Sequence, residues 1–239
     1  MRTEEISYAV GGKKLTGYLA APDGTRMRAG VLVCHQGNGV TEHTRERARM
    51  IADEGHIAFA LDMYGTTATS REQAMELLQS MTGNPDELRR RALAGLAVLK
   101  EQPNVDPSRL AAIGYCFGGA VVLELARSAP ELKCVVAFHP GMSGPVGLPE
   151  RDDRTIPKCK VMVCAGADDP LIPNSAVVKF RALMNDAGAD WQFLSYGGAA
   201  HSFTDRSVDA MNMPGFKYDA RADRRSWAAM RDLFEEAFR

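Results

Sequence analysis

"AAIGYCFGGAVVLELA" (residues 111–126) carries the decision about the fold. An apolar run ends at Tyr115, a cysteine follows, and Gly118 and Gly119 open a stretch with helical patterning. A strand running directly into a helix through glycines is the unit from which parallel, helix-covered sheets are made. The form G-Y-C-F-G-G is that of a nucleophile elbow with cysteine in the place usually held by serine. A nucleophile held in strained backbone needs small neighbours two residues away on either side, and Gly114 and Gly118 supply them. The side chain is then lifted above the sheet at a helix N-terminus, where free amides and the dipole favour negative charge and depress a thiol pKa.

Outward from the elbow the pattern repeats. "ISYAVGGKKLTGYLA" alternates around a Gly-Gly turn and predicts a hairpin over about residues 6–20. "AGVLVCH" (29–35) is a buried strand followed by the glycine loop "QGNGV" and a helix over 41–55 closed by Gly55. "HIAFALDMYG" is a strand, with Arg71 in the loop region beyond it. "NPDELRRRALAGLAVLKEQ" (84–102) is the clearest helix, with Asn84 as N-cap, Pro85 at the first helical position and acids in the first turn. "LKCVVAFHP", "KCKVMVCAGADDP" and "DWQFLSY" are further strands, separated by the helix "NSAVVKFRALMNDAG" and followed by the C-terminal helix "RADRRSWAAMRDLFEEAF". The expectation is an α/β class protein: a mostly parallel sheet with helices on both faces and an antiparallel N-terminal hairpin, in one domain over 1–239. The longest irregular piece, 139–158, is too short for a lid domain.

A net charge of −1 in 239 residues leaves no basic footprint for nucleic acid or an anionic membrane surface, and no apolar run approaches a membrane span. The N-terminus lacks a signal-peptide core, and the five cysteines show no zinc spacing, so they read as reduced thiols of a cytoplasmic protein. Cys34, Cys134, Cys159 and Cys164 lack the elbow context and read as core or ordinary surface residues.

A nucleophile at Cys116 calls for an acid and then a histidine further along the chain. "CAGADDPLIP" puts Asp168 and Asp169 at the end of a strand, and "GGAAHSF" puts His201 after the last one. Asp169, which opens the "DPLIP" turn, is preferred as the partner of His201, with Asp168 as the alternative. The set "GYCFGG", "GADDPLIP" and "AHSF", with "GVLVCHQGNGV" and "LDMYG", resembles the dienelactone hydrolase family over nearly the whole chain. That resemblance implies an α/β-hydrolase fold and a triad of Cys116, His201 and Asp169. It also implies an oxyanion hole made by the backbone N–H groups of Gly37 and Phe117.

The family carries a glutamate in the loop after the first long parallel strand, which takes the thiol proton, and Gln36 stands there. An amide cannot accept that proton. Either His201 deprotonates Cys116 directly, or the two rest as a thiolate–imidazolium pair. The resemblance also implies arginines that hold a substrate carboxylate; Arg71 and Arg206 are the candidates, each equally readable as a surface arginine. The loops bearing Gln36, Asn38, Tyr64, Phe117, His139, Met142, Ser202, Phe203 and Phe216 make an uncharged, aromatic-leaning mouth suited to neutral esters or lactones. His139 and His35 are either pocket-lining or bonded to the loops around them, and His43 and His56 are surface or helix-packing residues. The expected activity is hydrolysis of small carboxylic esters or lactones, without metal or organic cofactor and with no partner beyond the small-molecule substrate. Phosphotriester hydrolysis, acyl transfer, and a thiol-bearing binding protein without turnover are the alternatives.

Overall fold

The structure, a computed structural model, describes residues 1–142 and 159–239. Among these residues eight strands form one sheet: β1 (Arg2–Val10), β2 (Lys13–Ala21), β3 (Arg28–Cys34), β4 (Ile57–Leu61), β5 (Val105–Tyr115), β6 (Leu132–Phe138), β7 (Lys160–Gly166) and β8 (Trp191–Tyr196). Their order across the sheet is β1-β2-β4-β3-β5-β6-β7-β8. β1 pairs antiparallel with β2 and β2 antiparallel with β4; every later neighbour is parallel. The hairpin turn is Gly11-Gly12, both at positive φ (56° and 81°), as a tight turn between right-twisted strands demands.

Among the described residues six α-helices connect and cover the sheet: α1 (Glu42–Asp53), α2 (Arg71–Thr82), α3 (Pro85–Lys100), α4 (Phe117–Ser128), α5 (Asn174–Asp186) and α6 (Ala220–Ala237). Apolar residues of α1 and α6 pack with Val31, Val33, Ile113, Val136 and Met162 on one face of the sheet. Residues of α3, α4 and α5 pack with Leu32, Phe59, Ala112, Val135 and Val163 on the other. Successive residues of each central strand therefore point to opposite cores, which is why these strands read as continuous apolar runs rather than alternating ones. α4 is the most enclosed helix, buried from Phe117 to Ala126, and its one charged residue there, Glu124, bonds Arg89 of α3 at 2.7 Å.

The helix signals hold in detail. Asn84 accepts from the Glu87 N–H at 3.1 Å with Pro85 behind it, and Gly55, at φ 94°, follows the end of α1. Two elements depart from the sequence reading. Arg71 is not in a loop but opens α2, a helix capped by Ser70, which accepts from Gln73 N–H at 3.2 Å. α2 fully buries only Met81, so its apolar period is faint, and the Ser70-x-x-Gln73 cap was its one clear mark. A 3₁₀ turn, Arg206–Met211, also lies where no element was expected. The irregular segment read over 139–158 falls mostly outside the described residues. Among the described residues no helix is long and apolar enough to cross a membrane.

Candidate active site

The site assembles at the carboxyl ends of β3, β5, β6 and β7, where open α/β sheets leave a crevice. Cys116 sits between β5 and α4 at φ 53°, ψ −110°, a conformation that costs a non-glycine residue on the order of 1–3 kcal/mol. The backbone over-determines it. Its N–H donates to Phe138 O at 3.0 Å, and its carbonyl accepts from Gly119 and Gly141 at 3.0 and 3.1 Å. The elbow closes only because its glycines are bare. A Cβ on Gly114 would lie 2.0 Å from Gly118 O, and one on Gly118 would lie 2.2 Å from Cys34 O.

His201 Nδ1 lies 2.8 Å from Asp169 Oδ2, both side chains being inaccessible to solvent. Asp169 Oδ1 accepts from Leu171 N–H at 2.8 Å, which fixes the carboxylate. This leaves Nδ1 as the donor and Nε2 as the free ring nitrogen, and Nε2 is buried without a hydrogen-bond partner. Asp168 is exposed, so Asp169 is the acid that meets the histidine.

The Cys116 thiol lies outside hydrogen-bond geometry to Nε2 yet close enough for the charge of each group to shift the other. Burial works to raise the thiol pKa; the His201 charge and the Phe117 N–H work against burial and win, so the thiol lies below its ordinary value. Burial likewise works to lower His201, and the Cys116 charge with the Asp169 bond outweighs it, so the imidazole is raised. Both shifts favour the thiolate–imidazolium pair. Cys116 itself remains partly accessible to solvent although most of its surroundings are protein. The other four cysteines are buried, and burial pushes their thiols up, Cys159 and Cys164 to about 12.

Phe117, as the first residue of α4, has an N–H without an intrahelical acceptor. Gly37 N–H donates to no described backbone carbonyl. Tyr64 is buried, stacked on Phe117 with centroids 5.6 Å apart, and its hydroxyl has no partner. Burial first and the Cys116 charge second raise its pKa. Asn38 is half-buried with its Oδ1 unpartnered, and Phe216, also half-buried, sets its ring edge-on to His201 at 4.8 Å.

The remaining mouth residues lie deeper than the sequence suggested. Phe203 and Met142 are core residues. His139 is fully buried, its ring T-shaped against His201 at 5.2 Å and its Nε2 2.8 Å from Thr204 Oγ1. His35 is buried as well: Nδ1 donates to Gln36 O and Nε2 accepts from Met63 N–H at 3.1 Å. His43 is no surface residue. It is buried edge-on to Tyr115, 3.2 Å from Thr204 Oγ1, and burial and the Arg47 charge push it down to about 4. His56 packs against Phe234 and Phe238 of the C-terminal region, as a helix-packing residue should. Arg206 is exposed over the Tyr218 ring at 5.3 Å, and Arg71 is exposed at the start of α2.

Gln36 is buried, and both its side-chain polar atoms are engaged away from the thiol: Nε2 donates to Asp205 Oδ2 at 2.6 Å, and Oε1 accepts from Ser202 Oγ at 3.1 Å. Behind it Arg47 of α1 pairs with Asp223 of α6 at 3.0 Å and donates to Thr204 O. Asp205, Thr204, Arg47 and Asp223 were missed from sequence. Their only mark was the Asp205-x-Ser207 turn, in which Asp205 accepts from Ser207 N–H at 2.8 Å. Among the described residues there is no cluster of three or more side chains that could hold a metal ion.

A sheet in this order, with a strained strand-to-helix elbow at Cys116 after β5 and an acid–histidine pair after β7 and β8, has the α/β-hydrolase fold. The sequence pattern of the dienelactone hydrolase family matches residues 15–238, and the chain belongs to that family. A protein of Yersinia pestis, provisionally named a carboxymethylenebutenolidase, is 28% identical over 233 residues, covering 94% of this chain and 85% of its own. The crystal structure of a dienelactone hydrolase-like promiscuous phosphotriesterase from metagenomic libraries superimposes with a TM-score of 0.93 at 38% identity, over 99% of this chain and 98% of that one. A dienelactone hydrolase of Anabaena variabilis, 19% identical over 96% of this chain and 97% of its own, shares the fold with a TM-score of 0.65.

Proposed function

We propose that the chain, acting as one unit over residues 1–239, hydrolyses small neutral carboxylic esters or lactones through Cys116, His201 and Asp169. The observation that carries this reading is the pairing of a partly accessible thiol at a strained helix N-terminus with a buried histidine already bonded to an aspartate. In this reading the Cys116 thiolate attacks the carbonyl carbon, and the oxyanion is held by the Gly37 and Phe117 amides. The tetrahedral intermediate collapses, the C–O bond breaks, and the proton on His201 Nε2 passes to the leaving alkoxide. His201, now neutral, takes a proton from water, whose oxygen attacks the thioester. The acid is released, and the thiolate and imidazolium are restored. Asp169 holds Nδ1–H, and so keeps Nε2 facing the reaction.

Neutral substrates are favoured because Arg71 and Arg206 stand exposed on the surface, the latter against Tyr218, while the groups beside the thiol are aromatic. Five free thiols, four of them buried, suit a reducing compartment such as the cytoplasm. The test is turnover of an activated aryl ester and of a lactone by the wild type and by Cys116→Ala. The variant should lose at least about 10³-fold in kcat; retention of most activity would remove the assignment.

One second reading has a specific support, the similarity to the promiscuous phosphotriesterase. A phosphotriester would meet the same thiolate, forming an S–P bond as the aryloxide leaves, with the phosphoryl oxygen in the two-amide site. An aryl phosphotriester assayed beside the ester separates the readings: turnover lost with Cys116 supports a shared nucleophile, and no turnover restricts the site to acyl chemistry.

A further inference from the structure

Gln36 is buried beside the proposed reacting groups and has no part in the chemistry above. It cannot accept the thiol proton, and both ends of its amide are already engaged on the loop that follows His201. That loop is itself strained. Ser202, the residue after the histidine, has φ 56°, in the region where a non-glycine residue persists only with outside support. Gln36 supplies that support by accepting from the Ser202 hydroxyl, while its Nε2 holds Asp205. Asp205 closes the turn by donating its N–H to Ser202 O at 2.9 Å. On its other side Gln36 shares a peptide plane with Gly37, so the direction of the Gly37 N–H is fixed by whatever holds the Gln36 carbonyl. That carbonyl accepts from His35 Nδ1 and from Gly39 N–H, and His35 is pinned in turn by Met63 N–H.

We propose that Gln36 is a positioning residue: its amide locks the loop carrying His201 to the peptide carrying Gly37, so that base and oxyanion donor keep a fixed separation across Cys116. This rests on the reading of Cys116 as nucleophile and of Gly37 N–H as oxyanion donor. It gives the amide a function that a carboxylate could not perform here at neutral pH. A glutamate at this position would set a second carboxylate against Asp205, and the two could satisfy Ser202 and each other only while sharing a proton.

The other charged or titratable groups around this pair are His43 and Arg47 of α1, Asp223 of α6, His35 after β3, His139 after β6, His201 and the neighbouring Arg206. Burial and Arg47 hold His43 down to about 4, and Arg47 stays charged in its pair with Asp223. The Q36E carboxyl pair is therefore the group this substitution adds to the pH profile.

The experiment measures kcat, KM and the Cys116 alkylation rate with iodoacetamide against pH for wild type, Q36E and Q36L, with Cys116→Ala as control and thermal melting to verify folding. For Q36E, kcat should match the wild type within a fewfold at acid pH. It should then fall by about tenfold to a hundredfold on an added alkaline limb, the range expected when reacting groups are misplaced by about 1 Å. Q36L should be low in kcat at every pH with KM nearly unchanged, because an oxyanion donor acts in the transition state. Alkylation should stay much closer to the wild type than kcat does in both variants, since the His201 ring that faces the thiol is still held by Asp169. Q36L with wild-type kcat, Q36E without the added limb, or alkylation falling in step with turnover would overturn the proposal. Retained turnover in Cys116→Ala would instead overturn the underlying reading, whatever the Gln36 variants do.

Discussion

At the residue scale, the proposed chemistry turns on two opposed pKa shifts. Burial alone would keep both Cys116 and His201 neutral; the charge each can set beside the other opposes burial and shifts both toward their charged forms. The sign follows directly. With the thiol lowered, thiolate persists below the ordinary free-thiol value of roughly 8.5, so the pH profile of Cys116 alkylation should inflect below that value. His201→Ala removes the counter-charge, and the inflection should move up toward or beyond the ordinary range. An unmoved inflection would contradict the pairing. Since the imidazole is raised, turnover of esters with poor leaving groups should decline as alkaline pH strips its proton, while alkylation does not. Asp169→Asn should preserve the fold but disturb the Nδ1 tautomer, lowering kcat by about 10²–10⁴-fold as such replacements do in other triads; steady-state kinetics on an activated ester will measure it. The contrast with Cys34, Cys134, Cys159 and Cys164 gives the same lesson in reverse, because at those thiols burial outweighs every other influence and pushes all four up.

At the element scale, the elbow depends on backbone approach. The added methyl of Gly118→Ala would meet the Cys34 and His35 carbonyls at 2.2 and 2.6 Å, and these cannot rotate away. The cost should be about 3 kcal/mol or more, read by chemical denaturation. Arg47 ties α1 to α6 and to the histidine loop, so Arg47→Met, leaving Asp223 uncompensated in a largely buried position, should cost about 3 kcal/mol by the same measurement. These two cases also mark what the sequence made legible. The elbow glycines were readable because their need is local: strand, thiol and helix are adjacent in the chain. Asn84-Pro85 and Gly55 were readable for the same reason. α2 was not, since it lies on the surface and fully buries one residue, leaving no strong period to detect. The network of Gln36, Asp205, Thr204, His43 and Arg47 was not readable either. It joins positions more than 150 residues apart, as in the Gln36–Asp205 bond with its separation of 169, and no local pattern encodes such a pairing.

At the scale of the whole molecule, the fold was legible because both faces of the sheet are covered. That forces the central strands into unbroken apolar runs and their connections into helices. The order of the proposed triad along the chain places one residue after β5, one after β7 and one after β8, so a single sheet edge gathers groups 85 positions apart, from Cys116 to His201. The depth of that edge was not legible. His139, Phe203 and Gln36 sit in loops by sequence, yet lie beneath the surface, because the 201–205 loop folds down onto α1 and the end of β3. The central claim is that turnover passes through a covalent bond to Cys116. Mixing the enzyme with a p-nitrophenyl ester, quenching in acid within the burst and weighing the intact protein tests it most directly. The wild type should gain the mass of one acyl group, located by peptide mapping on Cys116, and lose it with time, while Cys116→Ala gains none. An acyl group found on another residue, or undiminished turnover by Cys116→Ala, would contradict the account.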